Sequence, residues 1–162
     1  MCVALVIAGQ VVFSFVPGVE IVTVSFVAYS FVMGARRGTL AATAFSLLRG
    51  LVFGVFPTVL VLYLVYYNLL ALCFGLLGVK RRAGVKTLPW LVLIACACSV
   101  GFTLMDNVIT PLWYGYSAKA TRAYFLASLP VMCSQVICTA VSVAFLLIPL
   151  TKAFSLIKKQ LF

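Results

Sequence analysis

Six apolar runs, at residues 1–16, 19–34, 39–56, 58–78, 88–106 and 124–151, take up most of this 162-residue chain. Each approaches the roughly 20 residues that a helix needs to cross a bilayer. In hydrocarbon every backbone N–H and C=O must find a partner within the fold, which leaves helices or closed barrels. The runs are continuously apolar and lack the alternation of barrel strands. The expected fold is therefore an all-α integral membrane protein: one transmembrane domain, residues 1–162, built as a six-helix bundle. Composition agrees, with 65% hydrophobic and 9% charged residues, against about 25% charged in ordinary soluble domains.

Breaks between the runs fall at Pro17-Gly18, Arg36-Arg37-Gly38, Pro57, Lys80-Arg81-Arg82-Ala83-Gly84 and the polar stretch 107–122. Pro57 and Pro89 sit where the first turn of a helix tolerates a missing N–H. The first run has no basic segment before it and no small-residue cleavage pattern, so it reads as mature helix. Its 16 residues span about 24 Å, short of the ~30 Å hydrocarbon core, which leaves room for a few residues upstream.

Basic residues set the expected orientation, because Lys and Arg collect in short cytoplasmic loops. Arg36, Arg37, Lys80, Arg81, Arg82, Lys86, Lys152, Lys158 and Lys159 follow runs two, four and six, while the opposite side holds only Lys119 and Arg122. Both termini are thus expected in the cytoplasm. The same clusters account for most of the +10 net charge as contacts to anionic lipid, with no nucleic-acid partner required.

The chain has no His and only two acids, Glu20 and Asp106, so imidazole chemistry and paired-carboxylate hydrolysis lack their raw material. It is not expected to be an enzyme. The six cysteines (2, 73, 96, 98, 133 and 138) lie inside apolar runs without C-x-x-C spacing, and read as small hydrophobes instead of metal ligands. No phosphate-binding glycine loop is present, so energy from ATP would have to come from a partner. No cofactor is expected.

On this topology the polar groups gather in the non-cytoplasmic half. The candidate binding residues are Glu20, Arg49, Tyr63, Tyr67, Asn68, Asp106, Asn107 and Gln135, with Tyr66, Ser128 and Ser134 nearby. Arginine at membrane depth costs at least ~2.5 kcal/mol unless paired or hydrated, which marks Arg49 as a functional residue with Glu20 or Asp106 as its expected partner. A purely structural salt bridge or a snorkelling side chain is the alternative. Trp113, Tyr114 and Tyr116 in a long outer loop would supply further aromatic wall, or an interfacial belt. One cation and two anions in this half suit a zwitterionic or hydrogen-bonding planar ligand. Gly38, Ala42, Ser46, Gly50 and Gly54 form a stripe at four-residue spacing, expected to pack closely against another helix.

The stretches Pro17-Gly18-Val19-Glu20, Met33-Gly34-Ala35-Arg36-Arg37-Gly38 and Leu48-Arg49-Gly50-Leu51-Val52-Phe53-Gly54, with Ala4-Leu5-Val6-Ile7-Ala8 in the first run, resemble the substrate-binding S component of energy-coupling factor (ECF) transporters. The local likeness runs from about Pro17 to Gly78, and the six-helix outline extends it over the chain. The resemblance implies a multi-pass protein of the prokaryotic plasma membrane that captures a micronutrient, often a vitamin or its precursor, on the outer side. It also implies partners: a transmembrane coupling subunit and two ATPases, with Ala4 and Ala8 at the docking face. Two other classes share the outline. A membrane scaffold of the rod-shape-determining type would bind no small molecule, and a stand-alone secondary transporter would show the inverted repeats and broken helices that are not seen here.

Overall fold

The computed structural model describes residues 2–13, 21–54, 56–80, 84 and 86–161. Among these, the chain forms six α-helices: α1 (Cys2–Phe13), α2 (Ile21–Met33), α3 (Ala35–Phe53), α4 (Pro57–Lys80), α5 (Leu88–Tyr114) and α6 (Ala118–Leu161). The segments 57–79, 88–114 and 118–160 are long and apolar enough to cross a membrane, and α2 is a shorter apolar helix. The protein is thus all-helical and of membrane character.

Pro57 opens α4 and Pro89 lies in the first turn of α5, as their missing N–H groups favour. Two expected loops are helical instead. Arg36, Arg37 and Gly38 belong to the first turn of α3, and the chain reverses at Gly34 alone, at φ 89°. Arginine is a good helix former, whereas a positive φ is what glycine permits. The stretch 107–122 is likewise no loop, since α5 extends through Asn107 to Tyr114 and α6 already begins at Ala118. Gly115, at φ 63°, ends α5 with its N–H on the Pro111 carbonyl, and Ser117 Oγ accepts the Ala120 N–H at 3.3 Å to cap α6.

From α2 to α6 the helices alternate in direction. Phe26 of α2 meets Phe45 of α3, and Thr43 of α3 meets Asn68 of α4, so neighbours in sequence run antiparallel. Tyr29 and Val32 of α2 meet Phe154 and Lys158 of α6 in ascending order, which makes those two parallel. Arg36, Arg37, Lys86, Lys158 and Lys159 consequently gather toward one end of the bundle, and Lys119 and Arg122 toward the other.

α2 lies at the centre, packed against α1, α3, α4 and α6, while α5 bridges α4 and α6. Its side chains from Thr23 to Ala28, with Ser30 and Phe31, are buried. The expected small-residue stripe of α3 is buried at Gly38, Ala42, Ser46 and Gly50, while Gly54 is exposed at the helix end. α4 approaches as closely: a methyl group added at Gly78 would collide with the Phe31 carbonyl oxygen, and one at Gly75 with the Ala35 backbone. Phe26, Phe45, Tyr63, Tyr66 and Tyr67 fill this core through edge-on and tilted ring contacts at 4.8–6.5 Å that extend to Phe102 of α5.

Candidate ligand cleft between helices 5 and 6

A second stripe at four-residue spacing runs along α5. Its buried members are Ala95, Ser99, Thr103, Asn107 and Pro111. Three of them are polar, and each pairs with α6: Ser99 shares a hydrogen bond of 2.8 Å with Thr139, Thr103 Oγ1 donates to Gln135 Oε1 at 2.9 Å, and Asn107 Nδ2 donates to Ser128 Oγ at 2.8 Å. Residue numbers rise on one helix as they fall on the other, as antiparallel packing demands. Interhelical bonds of this kind stabilise helix pairs in lipid by roughly 0.6 kcal/mol each.

Above Ser99–Thr139 the two helices enclose a half-open cleft of about 230 Å³, lined by Phe102, Thr103, Asp106, Tyr124, Ala127, Ser128, Val131 and Gln135. It lies toward the end that carries Lys119 and Arg122. Asp106 stands at its rim with both oxygens engaged: Tyr124 Oη donates to Oδ2 at 2.7 Å and Thr110 Oγ1 to Oδ1 at 2.8 Å. A mostly apolar wall with a few convergent polar groups is the usual chemistry of a small-molecule site.

The sequence-derived candidates divide into two groups. Asp106 and Gln135 line the cleft, and Asn107 stands behind it, holding Ser128. Arg49, Tyr63, Tyr67 and Asn68 lie instead in the α3–α4 packing. Arg49 places its guanidinium 4.0 Å from the Tyr63 ring centre and 5.4 Å from that of Phe53, and its Nε is buried without a hydrogen-bond partner. It does not pair with Asp106, whose oxygens take the Tyr124 and Thr110 hydroxyls. Tyr67 is core, and Asn68 donates to Thr43 Oγ1 at 3.1 Å and to the Leu64 carbonyl at 2.8 Å. Glu20 lies outside the described residues. The groups meet at Phe102, which lines the cleft and contacts the rings of Tyr63 at 5.8 Å and Tyr66 at 4.8 Å.

Trp113 and Tyr114 close α5 as exposed residues, not as loop residues over the cleft, and Ser134 is exposed. Phe102, Thr103, Tyr124, Ala127 and Val131 are the lining residues that sequence reasoning passed over, as it did Thr110, which holds Asp106. The signal for Thr103 was the same spacing that picked out α3, because it continues the Ala95–Ser99 register toward Asn107. Ala4 and Ala8 are exposed on α1, while Val6 between them is buried at 1% exposure. Among the described residues no group of His, Cys, Asp or Glu is arranged to hold a metal ion. Comparison with known protein families, curated proteins and solved structures returns no match.

Proposed function

We propose that this chain is the substrate-binding subunit of an ECF-type importer, taking up a vitamin or related micronutrient across a prokaryotic plasma membrane. The α5–α6 cleft carries the reading: it combines a half-open cavity, aromatic and aliphatic walls and a short row of polar groups in an otherwise apolar bundle. In this reading six spans place both termini and the basic end in the cytoplasm, and the cleft opens outward. Cargo binds between α5 and α6. Ala4 and Ala8 give the coupling subunit a shallow face to approach, since small side chains let helix backbones come close. Two ATPases on the coupling subunit supply the energy.

The test has two parts. Mass spectrometry of small molecules released from gently purified protein, followed by thermal-shift measurements with a vitamin and precursor panel, is expected to yield one retained or strongly stabilising compound, because binding to the folded state raises its apparent stability. Ala4→Leu with Ala8→Leu is expected to keep that binding and abolish ATP-dependent uptake with the energising subunits. Uptake into vesicles holding this chain alone, or no response to any compound, would overturn the reading.

A further inference from the structure

We propose that the α5–α6 cleft selects a small organic cation, with its charged N–H centre on Asp106 and a hydrogen-bond acceptor about one helical turn deeper, facing Gln135. This rests on the reading of the cleft as the substrate site and narrows it to a chemical class.

The first support is the charge inventory. Among the described residues, Asp106 is the only charged one that lines the cleft. Its hydrogen-bond partners are two neutral hydroxyls. Arg49, the cation nearest in sequence logic, is engaged on the far side of Tyr63 and Phe102. An anionic ligand would therefore meet an uncompensated like charge in a low-dielectric wall, and a zwitterion would find a partner for only one end.

The second support is a surplus of acceptors at the rim. A carboxylate has about four lone-pair sites, so each Asp106 oxygen has room for one more donor beside the hydroxyl it already accepts. Behind the cleft, Asn107 carries a further acceptor. Ser128 Oγ gives its single proton to the Phe125 carbonyl at 2.8 Å, so it can only accept from Asn107, which fixes the amide nitrogen toward Ser128. The amide oxygen Oδ1 is then left buried with no partner, in a residue 7% exposed. A buried acceptor without a donor is unusual in folded proteins, and this one lies next in sequence to Asp106, behind the cleft wall.

Third, the rings of Phe102 and Tyr124 belong to the same wall, and ring faces attract cations. At the deeper level the polarity reverses: Gln135 Oε1 is taken by Thr103, so the carboxamide offers its NH2 group to the cleft. Thr103 lies three residues before Asp106 on α5, about 4.5 Å along the helix, which sets the spacing between the cation and the acceptor.

A matched trio of probes tests this on the purified full chain in lipid nanodiscs: 4-(aminomethyl)pyridine, 4-(hydroxymethyl)pyridine and isonicotinate, followed by calorimetry and thermal shift. The ammonium compound is expected to bind at least about tenfold more tightly than the alcohol, with no binding of the carboxylate. Asp106→Asn should remove that advantage, bringing the ammonium compound to within about twofold of the alcohol. Should that variant fail to fold, the ranking of the three probes on the unaltered protein still decides. The proposal falls if the alcohol or carboxylate binds best, if none binds, or if Asp106→Asn leaves the ammonium preference intact. A neutral or anionic vitamin retained by the protein would overturn the cation selectivity while upholding the importer reading. A cation bound through Asp106 by a protein that supports no ATP-driven uptake would do the reverse.

Discussion

Helices α3 and α5 each bury a stripe at four-residue spacing, and the two stripes do opposite things. On α3 the residues are Gly38, Ala42, Ser46 and Gly50, whose small size lets α2 and α4 close in until a methyl group at Gly38 would run into the Ser30 side chain. On α5 they are Ala95, Ser99, Thr103 and Asn107, which hold α6 by side-chain hydrogen bonds and leave a cavity beside them. Burial follows the same division: 39% of the most apolar stretch of α4 is buried inside the protein, against 22% for α5 and for α6. Close backbone packing makes a platform with no room for a ligand. Hydrogen-bonded packing keeps the helices far enough apart to admit one.

The contrast breaks most severely at Gly78. Gly78→Val drives a side chain into the Phe31 carbonyl, where only backbone movement can relieve it, and should cost more than about 4 kcal/mol or prevent folding. Gly101→Ala on α5 is its control, since a methyl group there meets nothing within 4 Å, and should be neutral or stabilising by up to ~1 kcal/mol. Reversible unfolding in mixed micelles would compare them, and similar losses for both would dissolve the distinction.

Phe45→Ala comes next. The ring is fully buried among Phe26, Tyr63 and Tyr67, and its loss should cost about 3 kcal/mol, the lower part of the range for core phenylalanines, because lipid solvates the unpacked ring.

Arg49→Gln sharpens the boundary between the two regions. It should lower stability by roughly 1–2 kcal/mol through loss of the contact over Tyr63 and leave affinity at the cleft within about twofold. A larger loss of affinity than of stability would return Arg49 to the binding site. The smallest effect belongs to the α5–α6 pairs. A double-mutant cycle of Ser99→Ala and Thr139→Ala should give a coupling near 0.6 kcal/mol, with ~1.7 as the upper bound.

Much of the close-packed region was legible in the sequence, because its determinants are local. The α3 stripe announces itself by residue size and period, and Pro57 and Pro89 mark helix starts by what a proline lacks. The cleft was legible at Asp106, Gln135 and Ser128, with Asn107 behind it. Hydropathy scores a threonine or tyrosine alike whether it faces a loop, a partner helix or a cavity, so Thr103, Thr110 and Tyr124 went unseen. For the same reason the polar stretch after Asp106 read as a connection, although its side chains serve two helices and only Gly115, Tyr116 and Ser117 connect them. At the other junction the pair of arginines drew the eye, while the reversal depends on the single positive φ of Gly34. Asp106 and Arg49, the conspicuous opposite charges, each contact hydroxyl or aromatic groups that neither composition nor spacing reveals.

Helix α6 has 44 residues, about 66 Å at ~1.5 Å per residue, or more than twice the ~30 Å of hydrocarbon. Near its start Tyr124 holds Asp106 at the cleft rim, and near its end the Lys158 ammonium donates to the Val32 carbonyl, 2.8 Å away, where α2 gives way to Gly34. Those anchors are about 51 Å apart along the rod. It works as a lever, with Pro130 and Pro149 as the places where it can flex. A rotation of about 1° at the cleft carries the far anchor roughly 0.9 Å over that length, enough to take a hydrogen bond from made to broken. The Tyr124–Asp106 contact and the α2–α3 junction are thereby tied to the two ends of a single helix.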